Sequence, residues 1–302
     1  MMVYEDMQQL LGNTPLVRLN HSGFPDSIRV YAKLELNNPG GSVKDRIGKY
    51  MIEDAEKQGI LVPGSTIVEG TAGNTGIGIA FAALNRGYRL IMVVPSKFSQ
   101  EKQALLRALG AEVINTPREE GMKGAERKAQ ELRQSIPNAV SLEQFRNPAN
   151  PRAHYETTGV EIWSDLGENI DYFVAGAGSG GTYTGIMSYL KEKKSAIMGI
   201  LVDPIGSTMG GGEHADYDIE GIGNDFIADT MDMSLVDKII KISDDEAFNE
   251  TRLLARNEGI IAGSSSGANL AAIRKLALRI QHGTIVTILP DRGERYLSKN
   301  LF

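Results

Sequence analysis

The chain has 302 residues, room for two domains or one large α/β unit. Its 32 Lys and Arg against 38 Asp and Glu give a net charge of −6, which argues against a nucleic-acid or anionic-lipid partner, since both require a basic face. It has no cysteine, which excludes disulfides, a Cys nucleophile and thiolate ligation of zinc or iron–sulfur clusters.

The opening residues Met1 to Asp6 lack the basic-then-apolar pattern of a signal peptide, and no apolar run approaches the ~20 residues of a membrane span. A cytoplasmic protein is expected. In chain order, Arg29 to Glu35 alternates as a half-buried strand does. Residues 44–58 follow as a helix with Ile47, Met51 and Ala55 on one face. Short strands are predicted at 66–69, 90–95 and 112–115, with amphipathic helices at 99–109 and 121–135. Asn147-Pro148-Ala149-Asn150-Pro151 reads as the best break between domains, because its prolines interrupt helix and sheet alike. Beyond it come a helix at 152–166, a strand at 172–175, a helix at 182–193 and a strand at 197–202. Ser243 to Glu246 forms a capping box that opens another helix, and a helix at 267–281 precedes a strand at 284–289. Strand–helix alternation with continuous apolar strands predicts an α/β fold with mainly parallel sheet.

Of the 34 glycines, 21 fall in five windows between predicted strands and helices, where backbone is brought close to something else. Gly176-Ala177-Gly178-Ser179-Gly180-Gly181-Thr182 follows a strand and opens a helix, the geometry of a phosphate cradle, although a tight strand–helix turn has the same composition. Lys44 follows the Pro39-Gly40-Gly41 turn at the start of a helix, where the helix dipole lowers an amine's pKa; the plain alternative is an exposed lysine paired with Asp45. Glu69 to Gly76 offers small polar residues suited to a carboxylate, or simply a helix capped by Thr71 or Asn74. Gly263-Ser264-Ser265-Ser266-Gly267 adds a hydroxyl-rich loop that also reads as a helix cap. No G-x-S-x-G is present and the four histidines lie in no triad context, so a serine nucleophile is not expected. Gly176, Gly178 and Gly181 also satisfy G-x-G-x-x-G, with Asp203 ending the next strand, so a nicotinamide-dependent dehydrogenase is a rival. One lysine, a phosphate cradle, a carboxylate loop and a hydroxyl loop together describe a pyridoxal phosphate site.

From about Leu11 to Tyr296 the sequence resembles the cysteine synthase and cystathionine β-synthase family of fold type II pyridoxal phosphate enzymes. The resemblance rests on Gly12 to Leu16, Asn38 to Arg46, Thr71 to Gly76, Gln144 to Pro151, Gly176 to Thr182, Glu220-Gly221-Ile222-Gly223 and Gly263 to Ala268. It implies two α/β domains with largely parallel sheets and the cofactor between them. The smaller would comprise 1–12 and 38–146, and the larger 13–37 and 147–302, because the chain crosses early. It also implies that Lys44 is the Schiff-base lysine and that Asn74 binds the cofactor's phenolic oxygen. Gly178, Ser179, Gly180, Gly181 and Thr182 would hold the phosphate, and Ser265 would face the pyridine nitrogen. Thr71, Ala72, Gly73, Thr75 and Gln144 would bind the substrate carboxylate. Members are usually homodimers.

The implied activity is β-replacement on an amino acid, O-acetyl-L-serine first, with sulfide or homocysteine as acceptor. An alternative within the family consumes cysteine and releases sulfide. A neutral hydroxyl at Ser265 would not keep the pyridine protonated, which favours prompt β-elimination. Ala72 stands where most cysteine synthases have serine. Thr71-Ala72-Gly73-Asn74-Thr75-Gly76 with the Glu220 to Gly223 stretch is similar to bacterial O-acetylserine-dependent cystathionine β-synthases. The glycine-rich 206–223 segment is expected to be a mobile wall, next to an Asn224 of unread effect. No counterpart of the haem-binding extension or regulatory repeats of animal relatives is found, so no haem and no metal are expected. A catalytically silent relative would have lost the lysine.

Overall fold

The continuous apolar runs become interior strands of two sheets. The computed structural model describes residues 3–71, 73–299 and 301–302. In chain order the elements are β1 (Leu16–Arg18), β2 (Ile28–Lys33), α1 (Lys44–Lys57), β3 (Thr66–Gly70), α2 (Asn74–Ala82), β4 (Arg89–Pro95), α3 (Gln100–Ala108), β5 (Glu112–Thr116), α4 (Gly121–Ser135) and β6 (Ala139–Val140). They continue with α5 (Ala149–Ala153), α6 (Gly159–Leu166), β7 (Tyr172–Gly176), α7 (Gly181–Lys193), β8 (Met198–Pro204), β9 (Lys238–Ile242), α8 (Asp244–Glu258), α9 (Ser264–Ala277) and β10 (Gly283–Ile288). A smaller sheet has the order β5-β4-β3-β6, all parallel, and a larger one the order β1-β2-β10-β7-β8-β9, parallel except for edge strand β1. Every residue of β3 and β10 is buried, as expected for apolar strands covered on both faces. The early strands β1 and β2 join the sheet built mainly from the second half of the chain.

Several predicted elements recur with shifted ends, and three strands went unpredicted. β1 and β6 are too short to show a period, and β9 is an edge strand, Lys-Ile-Ile-Lys-Ile, whose alternation breaks after two residues. α9 starts at Ser264 rather than 267, since the serines form its first turn and the helix is buried nearly all round, which leaves no periodicity to read. The predicted helix at 152–166 carries a π-helical turn at His154–Thr158 between α5 and α6. Asn147 to Pro151 is no simple break: Pro148 caps α5, and Ala149 and Ala153 pack into the core of the smaller sheet.

Two glycines set the position of α1. A Cβ at Gly48 would lie 2.8 Å from the Ile79 nitrogen, and one at Gly78 would lie 3.0 Å from the Asp45 nitrogen, so α1 and α2 touch backbone to backbone. This brings Lys44, the first residue of α1, beside the start of α2. Parallel sheets present the loops after their strands' C-terminal ends to one side, where α/β folds place their ligands. The segments after β2, β3, β6, β7, β8 and β10 carry the candidate residues, except Ser265, which lies in the first turn of α9.

Candidate active site

Lys44 is half-buried and its ammonium has no ion-pair or hydrogen-bond partner among the described residues. Burial pushes it down to about 8, against the attraction of Asp291. The lowered value was expected from the helix start, but desolvation is the principal cause. The alternative of a surface pair with Asp45 is overturned. Asp45 is fully buried against the Gly40 turn, and burial raises its carboxyl to about 7 despite the Arg295 charge.

Lys44 shares a cleft with Gly178, Gly180, Thr182, Gly221 and Ile222. The N–H groups of Gly178, Ser179 and Gly180, and those opening α7, donate to no acceptor among the described residues, so they remain available to an anion. The loop is shaped by contacts as well as by free donors. Gly180 has φ +84°, and a Cβ there would collide with Met231; a Cβ at Gly178 would lie 2.6 Å from the Gly221 carbonyl oxygen. Thr182 Oγ1 lies 3.1 Å from Nε2 of buried His154, whose Nδ1 lies 2.9 Å from Thr158 Oγ1. Burial, with Arg46 and Lys44 nearby, holds that imidazole well below its ordinary pKa, so it stays neutral. Asn224 Nδ2 donates to the Gly178 carbonyl at 2.6 Å, which gives Asn224 a physical role in fixing the cradle. The 206–223 segment is anchored at its base: Gly223 N–H donates to the Ala177 carbonyl at 2.8 Å, and Glu220 N–H to Ser264 Oγ at 3.1 Å.

The two segments expected to bind a carboxylate leave adjacent parallel strands, β3 and β6. Thr71 Oγ1 accepts from the N–H groups of Gly73 and Gly76, so it braces the turn, and the cap of α2 is Gly73 rather than Thr71 or Asn74. Thr75 Oγ1 donates to Gln144 Oε1 at 2.6 Å, and among the described residues the Gln144 amide nitrogen has no acceptor, which leaves it available to a carboxylate. Buried Glu69 accepts from Ser141, Leu142 and Glu143 and so clamps the Gln144 segment to β3; burial raises its carboxyl to about 7. Ala72 lies outside the described residues. Asn150, which sequence reasoning passed over as part of a break, joins the segments: its Nδ2 donates to the Gln144 carbonyl at 2.7 Å and to Ser179 Oγ at 2.9 Å.

Asn74 sits on another branch, with Nδ2 donating to Asp291 Oδ2 at 2.6 Å and Oδ1 accepting from Arg295 Nη1 at 2.5 Å. Ser265 is buried in the first turn of α9, behind a Gly263 that packs directly on Asp291. Asp291, Arg295 and Tyr296 were missed; only their clustering just after the last predicted strand could have marked them. A more open hollow, lined by residues such as Asn13, Tyr31 and Asp165, shares no residue with the lysine cleft and contains none of these groups.

The fit to a pyridoxal phosphate group is direct: a half-buried lysine free of partners faces a glycine loop rich in unpaired N–H donors at a helix N-terminus. A family model described as "Pyridoxal-phosphate dependent enzyme" matches residues 7–291. The chain belongs to that family. This pyridoxal phosphate-dependent enzyme is 48% identical over its whole length to "O-acetylserine dependent cystathionine beta-synthase" of Bacillus subtilis, covering 99% of that relative. It is 48% identical to "Cysteine synthase" of Helicobacter pylori, with both chains fully covered. The solved structure of an O-acetylserine-dependent cystathionine β-synthase from Helicobacter pylori superposes with a TM-score of 0.96 at 47% identity, covering 100% of each chain. Family membership removes the dehydrogenase rival, and the structure gives the reason. Asp203, the supposed ribose ligand, is fully buried, and its Oδ2 accepts from Lys241 Nζ at 2.5 Å and from the Gly210 N–H at 2.9 Å. Among the described residues no helix is long and apolar enough to cross a membrane.

Proposed function

We propose that this enzyme catalyses β-replacement on O-acetyl-L-serine, with homocysteine accepted alongside sulfide, giving L-cystathionine or L-cysteine and acetate. The observation that carries the reading is the convergence of a partner-free lysine, a donor-rich glycine cradle and a paired Thr75–Gln144 carboxylate site, in a chain nearly half identical to relatives so named. When bound, pyridoxal phosphate supplies an electron sink that acidifies the substrate's Cα–H. Lys44 would hold the cofactor and, as a free amine, take the Cα proton. Gly178 to Thr182 would bind the phosphate, Asn74 the phenolic oxygen, and Ser265 the ring nitrogen through a neutral hydroxyl. Thr71, Gly73, Thr75 and Gln144 would orient the carboxylate. Acetate leaves with the Cβ–O bonding electrons, a thiolate then supplies the pair for the new C–S bond, and the proton held on Lys44 returns to Cα. The family resemblance supports a cytoplasmic homodimer, and the two sheets support two domains, with α5 packed on the smaller one.

Gln144→Ala removes one hydrogen bond to a charged group, which costs about 1.5–3 kcal/mol. O-acetylserine affinity is expected to fall roughly ten- to a hundredfold with cofactor content unchanged; unaltered affinity would count against the assignment. The acceptor is tested by incubating enzyme, O-acetylserine and homocysteine and assaying cystathionine. Cystathionine is expected. Its absence while sulfide yields cysteine would make this a plain cysteine synthase. Inert O-acetylserine with sulfide released from cysteine would establish the desulfurising alternative.

A further inference from the structure

Asp291 follows the last strand of the larger sheet, yet it is tied to side chains from both halves of the molecule. It is 1% exposed. One oxygen, Oδ2, accepts from Asn74 Nδ2 at 2.6 Å and from Tyr296 Oη at 2.5 Å. The other, Oδ1, is buried without a hydrogen-bond partner among the described residues and faces Gly263 at the start of α9. The carboxylate thus lies where α2, α9 and the start of α1 meet. Its chain segment runs beside the residues that lead into α1, since Ser42 and Asp291 form a β-bridge and the Val43 N–H donates to the Pro290 carbonyl at 2.8 Å, and from there its charge attracts the Lys44 ammonium.

We infer that Asp291 is a positioning residue of the lysine pocket: it fixes the orientation of the Asn74 amide and supplies the counter-charge that keeps a proton on the Lys44 nitrogen. An amide presents oxygen and nitrogen almost interchangeably unless its neighbours decide between them. Here they do. The acceptor Asp291 takes one Nδ2 hydrogen, and the donor Arg295 takes Oδ1, so the second Nδ2 hydrogen is left pointing away from both. Tyr296 cannot compete as an anion, because burial together with Asp291 and Glu220 holds its phenol well above the ordinary range. Its oxygen also accepts from Lys102 Nζ at 3.0 Å, and Lys102 is paired with Glu220 at 2.8 Å. Of the other charged groups around the pocket, Arg295 serves Asn74 and the Gly40 carbonyl, neutral His154 faces Thr182, and Asp45 is packed against the Gly40 turn, where burial raises its carboxyl to about 7 and so weakens it as a counter-charge. Asp291 is the group left to balance Lys44.

The inference rests on Lys44 carrying the cofactor, and its test separates the two claims. Asp291→Asn keeps the shape and removes the charge. In cofactor-free protein, the rate of borohydride-trapped pyridoxal phosphate incorporation at Lys44 is followed against pH; in the loaded enzyme, the visible absorption band is titrated over the same range. Both midpoints are expected to fall by about one pH unit or more, at least a tenfold change in the protonation equilibrium. Tyr296→Phe, which removes a donor and keeps the charge, is expected not to lower them. Unchanged midpoints in Asp291→Asn, with or without a lower melting temperature, would overturn the inference. Failure of both Asp291→Asn and Asp291→Ser to fold would assign the residue to structure and overturn it too. Peptide mapping that finds the label on another lysine would instead sink the assignment of Lys44.

Discussion

Lys44→Ala protein is expected to be folded and to turn over substrate at least about a thousandfold more slowly than the parent, the scale of a lost general base. It is also expected to lose every borohydride-stable attachment of pyridoxal phosphate. The fold should survive because Lys44 makes no ion pair or hydrogen bond through its side chain among the described residues, and its burial penalises the charged form. Truncation removes a poorly solvated cation rather than a strut. Circular dichroism and the denaturant midpoint check the first half of this expectation, and peptide mapping after reduction checks the second. A pH dependence accompanies it. With the lysine lowered to about 8, cofactor attachment to the empty parent protein should accelerate as pH rises through about 8 and level off above, because the free amine is the nucleophile. An attachment rate still climbing steeply towards the ordinary lysine value of 10.5 would mean that the pocket does not depress this amine.

What the sequence made legible follows from which signals are local. Apolar runs such as Leu90 to Val94 and Ile285 to Leu289 announce buried strands because each is satisfied by its own composition. The glycine loops announce close backbone approach for the same reason, and Lys44, Gly178, Gly180 and Thr182 do line one cleft. The illegible parts are those assembled from distant positions. Nothing around Asp291 says that Asn74 lies 2.6 Å away, 217 residues earlier in the chain. Asn150 reads as a turn residue between prolines, yet it links the Gln144 segment to the glycine loop through Ser179. Lys44 itself was legible as a residue but not in its physics: helix position suggested the direction of its shift, whereas burial, a tertiary property, sets most of it.

The largest effect on stability is expected two residues beyond Lys44. Arg46 is fully buried, with Nε and Nη2 each 2.8 Å from the Glu35 carboxylate and Nη1 2.6 Å from Glu161. Thr14 and Asn38 complete the shell of Glu35, and Lys33 lies 2.8 Å from Glu161. The cluster fastens α1, which packs on α2 of the smaller sheet, to β2 of the larger sheet and to α6. It therefore holds the helix that presents Lys44. Arg46→Ala leaves Glu35, itself 0% exposed, as a buried carboxylate without its cation, and breaking such a pair from one side costs about 3–5 kcal/mol. Arg46→Lys should recover only part of this, because a point charge cannot bridge two carboxylates as a planar fork does. The denaturant midpoint should fall with an unchanged slope. Adding Glu35→Gln to Arg46→Ala should be less destabilising than Arg46→Ala alone, since the orphaned charge is then gone; a double variant worse than the single would show that packing, not charge, dominates. The pH dependence has a definite sign. Burial opposes ionisation of Glu35 and Glu161, but Arg46 outweighs it and holds both carboxyls below the ordinary value of 4.5. Their contribution to stability is thus complete above about pH 4.5 and is lost as pH falls through the folded-state values. Arg46→Ala reverses this: a carboxyl left buried without its cation takes up a proton more readily folded than unfolded, so the variant's deficit should narrow in acid and be widest near neutrality.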